Sequence, residues 1–280
     1  MDQLLIGLPV AILLVLPAAL AGAVAAAPVS RRRLEKFTAQ HELAVSLANG
    51  NQVIAYLATT RRWRAAGLAA GATFWLLWTI PRQSVGVNTL TLLAGWFLGA
   101  VTAEVRVDHL AYGARRAASL ARREPSSYLP RGAWWLVPAC AGIAVALAGA
   151  SAVLAVRDAV VEPAGAAWFA AALVVTAVVR VAQQRVLRRP QPLAAPDVLA
   201  ADDAIRSRSM HSLAGGGAAL VLYCVLGQLH ALTPALAGPA HDAVAMVELV
   251  SGYILVPVLG YSVATARWPV ARTPAAEPAP

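Results

Sequence analysis

Seven long apolar stretches alternate along the chain with loops that are in turn rich in arginine and nearly free of it. An α-helix needs about 20 apolar residues to cross a bilayer, and each stretch is close to that length. Backbone groups in hydrocarbon must be hydrogen-bonded within the segment, so the spans are predicted to be helices. The fold class is therefore all-α, a polytopic transmembrane helical bundle with spans at about 4–27, 65–81, 88–105, 133–156, 166–182, 213–233 and 243–265.

Composition supports this class, because 59% of the 280 residues are hydrophobic and only 13% are charged. Such a chain is too apolar for a soluble domain. The first stretch is predicted to be a retained span rather than a signal peptide, because no basic residue precedes it and Arg31, Arg32 and Arg33 follow it. The whole chain is predicted to be one membrane domain that ends in a short disordered tail at 268–280.

Orientation follows from the basic residues, because short loops that carry Lys and Arg stay in the cytoplasm. One set of loops and the C-terminal segment hold 21 of the 23 basic residues, and the other set holds only Arg82 and Arg157. The N-terminus is therefore predicted outside and the C-terminus inside, in the cell membrane. Basic loops beside anionic lipid headgroups account for the net charge of +9, so no nucleic-acid partner is expected.

Between the first two spans, residues 38–60 are predicted to form an amphipathic helix on the cytoplasmic face of the membrane. Leu43, Leu47, Ile54 and Leu57 would lie on its apolar side. The Asn49-Gly50-Asn51 run is expected to break or kink this helix.

The clearest candidate binding residue is Glu248, because an acid inside a span is costly and marks a functional site by default. His230 and Gln228, at the outer end of the preceding span, are its predicted partners. A protonatable Glu beside a His could carry a proton or bind a cation. The alternative is a buried carboxyl group that is hydrogen-bonded near the outer interface.

A second candidate set lies at the cytoplasmic interface, where the chain would contact lipid or a protein partner. Its members are Arg61, Arg62, Arg64, Asp202, Asp203 and Arg206. The two aspartates precede Arg206 at helical spacing, which predicts an ion-paired surface helix leading into the sixth span. Paired aspartates beside a membrane could instead bind Mg²⁺ against a pyrophosphate substrate.

No metal site or cofactor is predicted, because no Cys or His spacing resembles a zinc motif. Cys140 and Cys224 are interpreted as small apolar residues in helix packing. Small residues four apart predict close helix contacts at Gly67 and Gly71, at Gly95 and Gly99, and at Gly215 and Ala219. Pro257 is expected to kink the seventh span.

Four short runs in the inner loops carry a family resemblance: Ala117-Ala118-Ser119-Leu120, Ser127-Tyr128-Leu129-Pro130, Arg189-Pro190-Gln191-Pro192 and Asp202-Asp203-Ala204-Ile205-Arg206. The chain resembles a group of uncharacterised polytopic membrane proteins from actinobacteria. The resemblance implies the same architecture and a location in the cell membrane, and it implies no activity or site residue.

The leading functional hypothesis is a permease-like subunit of a transport system. No GxxxxGK[ST] pattern is present, so a separate cytoplasmic ATPase would supply the energy. One alternative is a membrane scaffold or sensor that uses the same basic loops. A third is a lipid-modifying membrane enzyme that uses Asp202 and Asp203, although no catalytic residue is assigned. Expected partners are membrane lipids, the ATPase or another protein subunit, and further copies of this chain.

Overall fold

The computed structural model describes residue 17 and residues 19–79, 89–107, 116–117, 124–157, 162–189, 191–192, 195–236 and 239–266. These residues are almost entirely helical. The only strand pairing among them is a two-residue antiparallel one between Arg116–Ala117 and Gln191–Pro192, too short to form a sheet that contributes to the core. The all-α prediction is confirmed.

Eight α-helices follow in chain order: α1 Arg31–Gln40, α2 Leu47–Thr79, α3 Thr89–Val107, α4 Arg131–Val156, α5 Ala164–Arg188, α6 Pro196–Ala231, α7 Pro239–Val250 and α8 Val256–Thr265. Residues 19–26 are also helical. Short 3₁₀ turns lie at Pro125–Ser127 and Thr233–Ala235, and a π-helical segment, Ser251–Leu255, joins α7 to α8.

Four helical segments of the described chain are long and apolar enough to cross a membrane: Arg131–Val156, Ala164–Arg188, Pro196–Ala235 and Pro239–Thr265. They contain the last four predicted spans. The predicted spans at 65–81 and 88–105 fall on α2 and α3, which are not among the four. Most of the predicted span at 4–27, and the predicted tail at 268–280, lie outside the described residues.

The chain divides into two compact units. The first unit contains 1–123, 188–207 and 267–280, and the second contains 124–187 and 208–266. Helix α6 takes part in both, because it passes from the first unit to the second between Ser207 and Arg208.

The core of the first unit joins α1, the start of α2, the end of α3 and the start of α6. It contains Phe37, Val53, Tyr56, Val107, Ala201, Ala204 and Ile205. Leu43 and Leu57 pack against this core, whereas Leu47 and Ile54 are exposed. The apolar side predicted for residues 38–60 is therefore divided between the protein interior and its surface.

The predicted bounds of that helix are wrong, because α1 ends at Gln40 and α2 begins only at Leu47. Ser46 caps α2: its backbone N–H donates to Asn49 Oδ1 (2.8 Å), and the Asn49 N–H donates to Ser46 Oγ (3.2 Å). This reciprocal pair is a capping box with Asn in place of the usual Glu or Gln. The Asn49-Gly50-Asn51 run thus lies in the first turns of α2 and does not break it.

The cap of α2 is also bonded to the start of α6. The Ser46 hydroxyl donates to the Asp197 carboxylate, and Asn49 Nδ2 donates to the backbone oxygens of Ala44 (2.7 Å) and Asp197 (3.4 Å). Asn49 is fully buried, so these bonds satisfy an amide that would otherwise be costly to bury. The position where α2 begins therefore depends on a residue about 150 positions along the chain.

Helices α2 and α3 approach one another through glycines. A Cβ atom added to Gly67, Gly71, Gly95 or Gly99 would lie within 3.0 Å of the facing backbone. Gly67 faces Gly95 and Gly99, and Gly71 faces Thr91 and Gly95. Only glycine permits backbones to come this close. The predicted small-residue contact between these two helices is confirmed.

In the second unit, α6 lies against α8 in the same manner. A Cβ atom on Gly215 would meet the Gly260 oxygen and Ala264, and one on Gly260 would meet Ala219. The most apolar 18-residue window of the α6 span is 78% buried, against 11 to 17% for the other three candidate spans. Large apolar side chains are exposed on α4, α5, α7 and α8, as expected for helix surfaces that face lipid.

The π-helical segment has a local cause in Pro257. The Val256 N–H donates to the Ser251 oxygen, five residues back. In that register the donor for the Gly252 oxygen would be residue 257, but proline has no N–H. The Tyr223 hydroxyl of α6 donates to the Gly252 oxygen instead. Pro257 therefore changes the helical register and frees a carbonyl that a neighbouring helix satisfies.

Tyr223→Phe is expected to lower the free energy of unfolding by about 1–3 kcal/mol, because the Gly252 carbonyl then lacks a donor. In a Pro257→Ala background the same replacement should cost less, since residue 257 regains an N–H. Thermal unfolding of the four proteins in detergent measures this coupling. Equal losses in both backgrounds would contradict the proposed link between Tyr223 and Pro257.

Candidate functional site

Glu248 and His230 lie side by side in the second unit. Glu248 is on α7, His230 is near the end of α6, and Nδ1 of the imidazole is 3.1 Å from Glu248 Oε2. The His230 side chain is 67% exposed, whereas that of Glu248 is only 22% exposed. The predicted contact between these two residues is confirmed.

The second carboxylate oxygen of Glu248 has a different environment. Glu248 Oε1 is buried and has no hydrogen-bond partner among the described residues. A buried oxygen without a donor is costly in a protein interior. This oxygen is therefore free to accept a hydrogen bond or to coordinate a cation, while Oε2 contacts the imidazole.

Gln228 does not join this pair. Successive residues in an α-helix are about 100° apart, so Gln228 lies about 200° around α6 from His230. The Gln228 side chain is almost completely buried, and neither amide atom has a hydrogen-bond partner within the described chain. The prediction that it binds together with Glu248 is wrong, because residues two apart on a helix face different neighbours.

The three arginines at the start of the second predicted span contact the rest of the first unit. Arg61 Nη1 donates to the Pro28 oxygen (3.0 Å), and Arg62 Nε donates to the Ala25 oxygen (3.2 Å). Arg64 lies 5.2 Å from the centroid of the Trp96 ring on α3. Ala25 is in the last turn of helix 19–26, where a cation is favourable.

Asp202 and Arg206 form a buried ion pair within α6, with 2.7 Å between Arg206 Nε and Asp202 Oδ2. The pairing agrees with the prediction, but the predicted surface location is wrong because both side chains are almost completely buried. Asp203 is partly buried. Asp202 and Arg206 are therefore structural residues in the first unit and do not contact an external partner.

A groove in the first unit was not predicted from the sequence. It has a volume of about 690 Å³ and lies between residues 17–24, α2 and α3. Arg33, Arg61 and Arg64 line it together with apolar residues that include Leu68, Trp75 and Trp96. Because its walls come from separate segments, no short sequence pattern indicates it.

No cluster of three or more His, Cys, Asp or Glu side chains arranged to hold a metal ion occurs in the described residues. No protein-family model, curated protein or solved structure matches this chain. The resemblance to actinobacterial membrane proteins therefore stays a prediction.

Proposed function

We propose that this is a multi-pass protein of the cell membrane with seven spans, an outer N-terminus and an inner C-terminus. Four helices of sufficient length and apolarity support the membrane location. The uneven distribution of Lys and Arg between alternate loops supports the orientation. Spans two and three would lie on α2 and α3, whose backbones are packed through glycines.

We further propose that the chain is a permease-like subunit of a transport system and that Glu248 handles the solute or a coupled cation. The supporting observation is its Oε1 atom, which is buried without a donor in a candidate span. Intramembrane carboxylates generally mark ion or substrate pathways. A separate cytoplasmic ATPase would supply the energy through the inner loops.

One observation favours the competing role of scaffold or sensor. The first unit contains a packed core of four helices around Tyr56 and Ile205, outside most of the apolar length of the four candidate spans. A compact helical core beside a membrane is suited to binding a protein partner. In that case loop residues, and not Glu248, would be essential.

Glu248→Gln is expected to lower transport at least about tenfold, because an interaction with a charged group is worth about 1.5–3 kcal/mol. The protein should still fold, since Gln has nearly the same shape. The matched control is Glu162→Gln, which alters an exposed carboxylate in the same unit. The measurement compares intracellular and medium metabolites in a deletion strain that carries each variant. Full complementation by Glu248→Gln would contradict a transport role for this carboxylate.

The partner is tested by purifying the tagged protein from its native membrane in mild detergent and identifying co-purified proteins by mass spectrometry. Stoichiometric recovery of an ATPase would support the permease proposal. Recovery of a regulatory or structural protein in its place would favour the scaffold. Recovery of the chain alone would contradict a stable complex with an ATPase.

A further inference from the structure

We infer that the groove of the first unit binds an anionic phospholipid. Its three arginines, Arg33, Arg61 and Arg64, are near one end, and no acidic residue lines it. The remaining walls are apolar, formed by residues such as Leu20, Leu68 and Leu76. A cationic end joined to an apolar trough matches the two parts of a phospholipid, a phosphate group and an acyl chain.

The dimensions of the groove fit this ligand. Its lining residues on α2 run from Leu57 to Leu76, about 28 Å along the helix axis at 1.5 Å per residue. That length is close to the hydrocarbon thickness of a bilayer, about 30 Å, and so exceeds the depth of one leaflet. Ala65, Ala69 and Ala72 keep the trough shallow on the α2 side. With the orientation proposed above, the arginine end faces the cytoplasmic leaflet.

The arginines leave hydrogen-bonding capacity for a phosphate. Arg61 Nη1 is bonded to the Pro28 oxygen, but Arg61 Nε is buried and has no acceptor within the described chain. Arg33 is exposed on α1. Arg64 is held over the Trp96 ring, which positions its guanidinium group at the groove wall. Together they offer one immobilised, one partly satisfied and one adjustable cation.

The test measures lipid binding to the full-length detergent-purified protein by native mass spectrometry, with phosphatidylglycerol and phosphatidylcholine as probes. Arg33→Gln is expected to weaken phosphatidylglycerol binding about fivefold, the equivalent of about 1 kcal/mol per basic residue near an anionic lipid. Arg32→Gln is the matched control, because Arg32 is equally exposed on α1 and does not line the groove. Phosphatidylcholine should bind more weakly to every variant.

Ala72→Trp tests the apolar part of the site, because Ala72 lines this groove on α2. It should weaken binding of phosphatidylglycerol and leave any binding of chain-free glycerophosphate unchanged. Ala70→Trp, on the same helix but outside this groove, is its control. Equal losses in Arg33→Gln and Arg32→Gln would overturn the proposal in favour of a diffuse basic surface. Unchanged affinity in Ala72→Trp would overturn the placement of an acyl chain, leaving a phosphate site only.

Discussion

Asp202→Ala is expected to lower the free energy of unfolding by about 3–5 kcal/mol, because it leaves a buried guanidinium group without its carboxylate. Arg206 is completely buried, and its Nε lies 2.7 Å from Asp202 Oδ2. A charge in such a place must be paired or it destabilises the folded state. Thermal unfolding in detergent, monitored by size-exclusion chromatography, measures the loss.

Two further variants separate loss of the pair from loss of a side chain. Asp203→Ala removes the adjacent carboxylate, which is only partly buried, and should cost about 1 kcal/mol or less. Replacing Asp202 with Leu and Arg206 with Met together removes both charges and should recover most of the stability. An Asp202→Ala protein as stable as Asp203→Ala would show that Arg206 does not depend on this partner.

Gly95→Ala is expected to destabilise the protein by about 3 kcal/mol, the upper end of the usual cost of overpacking. The new Cβ atom would lie within 3.0 Å of Gly67 and Gly71 backbone atoms. Backbone atoms cannot change rotamer to make room, so α2 and α3 would have to separate. The loss is measured in the same thermal assay.

Gly142→Ala and Gly149→Ala provide matched controls in α4, because an added Cβ atom meets nothing within 4 Å at either position. Alanine favours a helix over glycine by about 1 kcal/mol, so both variants should be as stable as the original protein or slightly more stable. A loss in these controls equal to that in Gly95→Ala would mean that the effect does not arise from the contact between α2 and α3.

Much of the architecture was predictable because it depends on local patterns. Apolar length predicts where a helix can cross a bilayer, and four of the predicted spans coincide with such helices. Small residues four apart predicted the contacts at Gly67, Gly95 and Gly215. The approach of His230 to Glu248 followed from their places on neighbouring helices, joined by a short turn.

What could not be predicted depends on distant parts of the chain. Spacing alone cannot distinguish a buried Asp202–Arg206 pair from an exposed one, because the i,i+4 pattern is the same in both. The start of α2 is set in part by Asp197, which lies in another segment. The direction of Gln228, by contrast, could have been inferred from the 100° rotation per residue.

The most direct test of the proposed membrane topology is cysteine labelling on either side of α4, with a membrane-impermeant maleimide on intact cells. Glu124 and Glu162 are exposed residues that precede and follow this helix, and the native Cys140 and Cys224 are buried. Glu162→Cys should react in intact cells, whereas Glu124→Cys should react only after the membrane is opened. Reaction of both variants in intact cells, or of Glu124→Cys alone, would contradict an α4 that crosses the membrane from inside to outside.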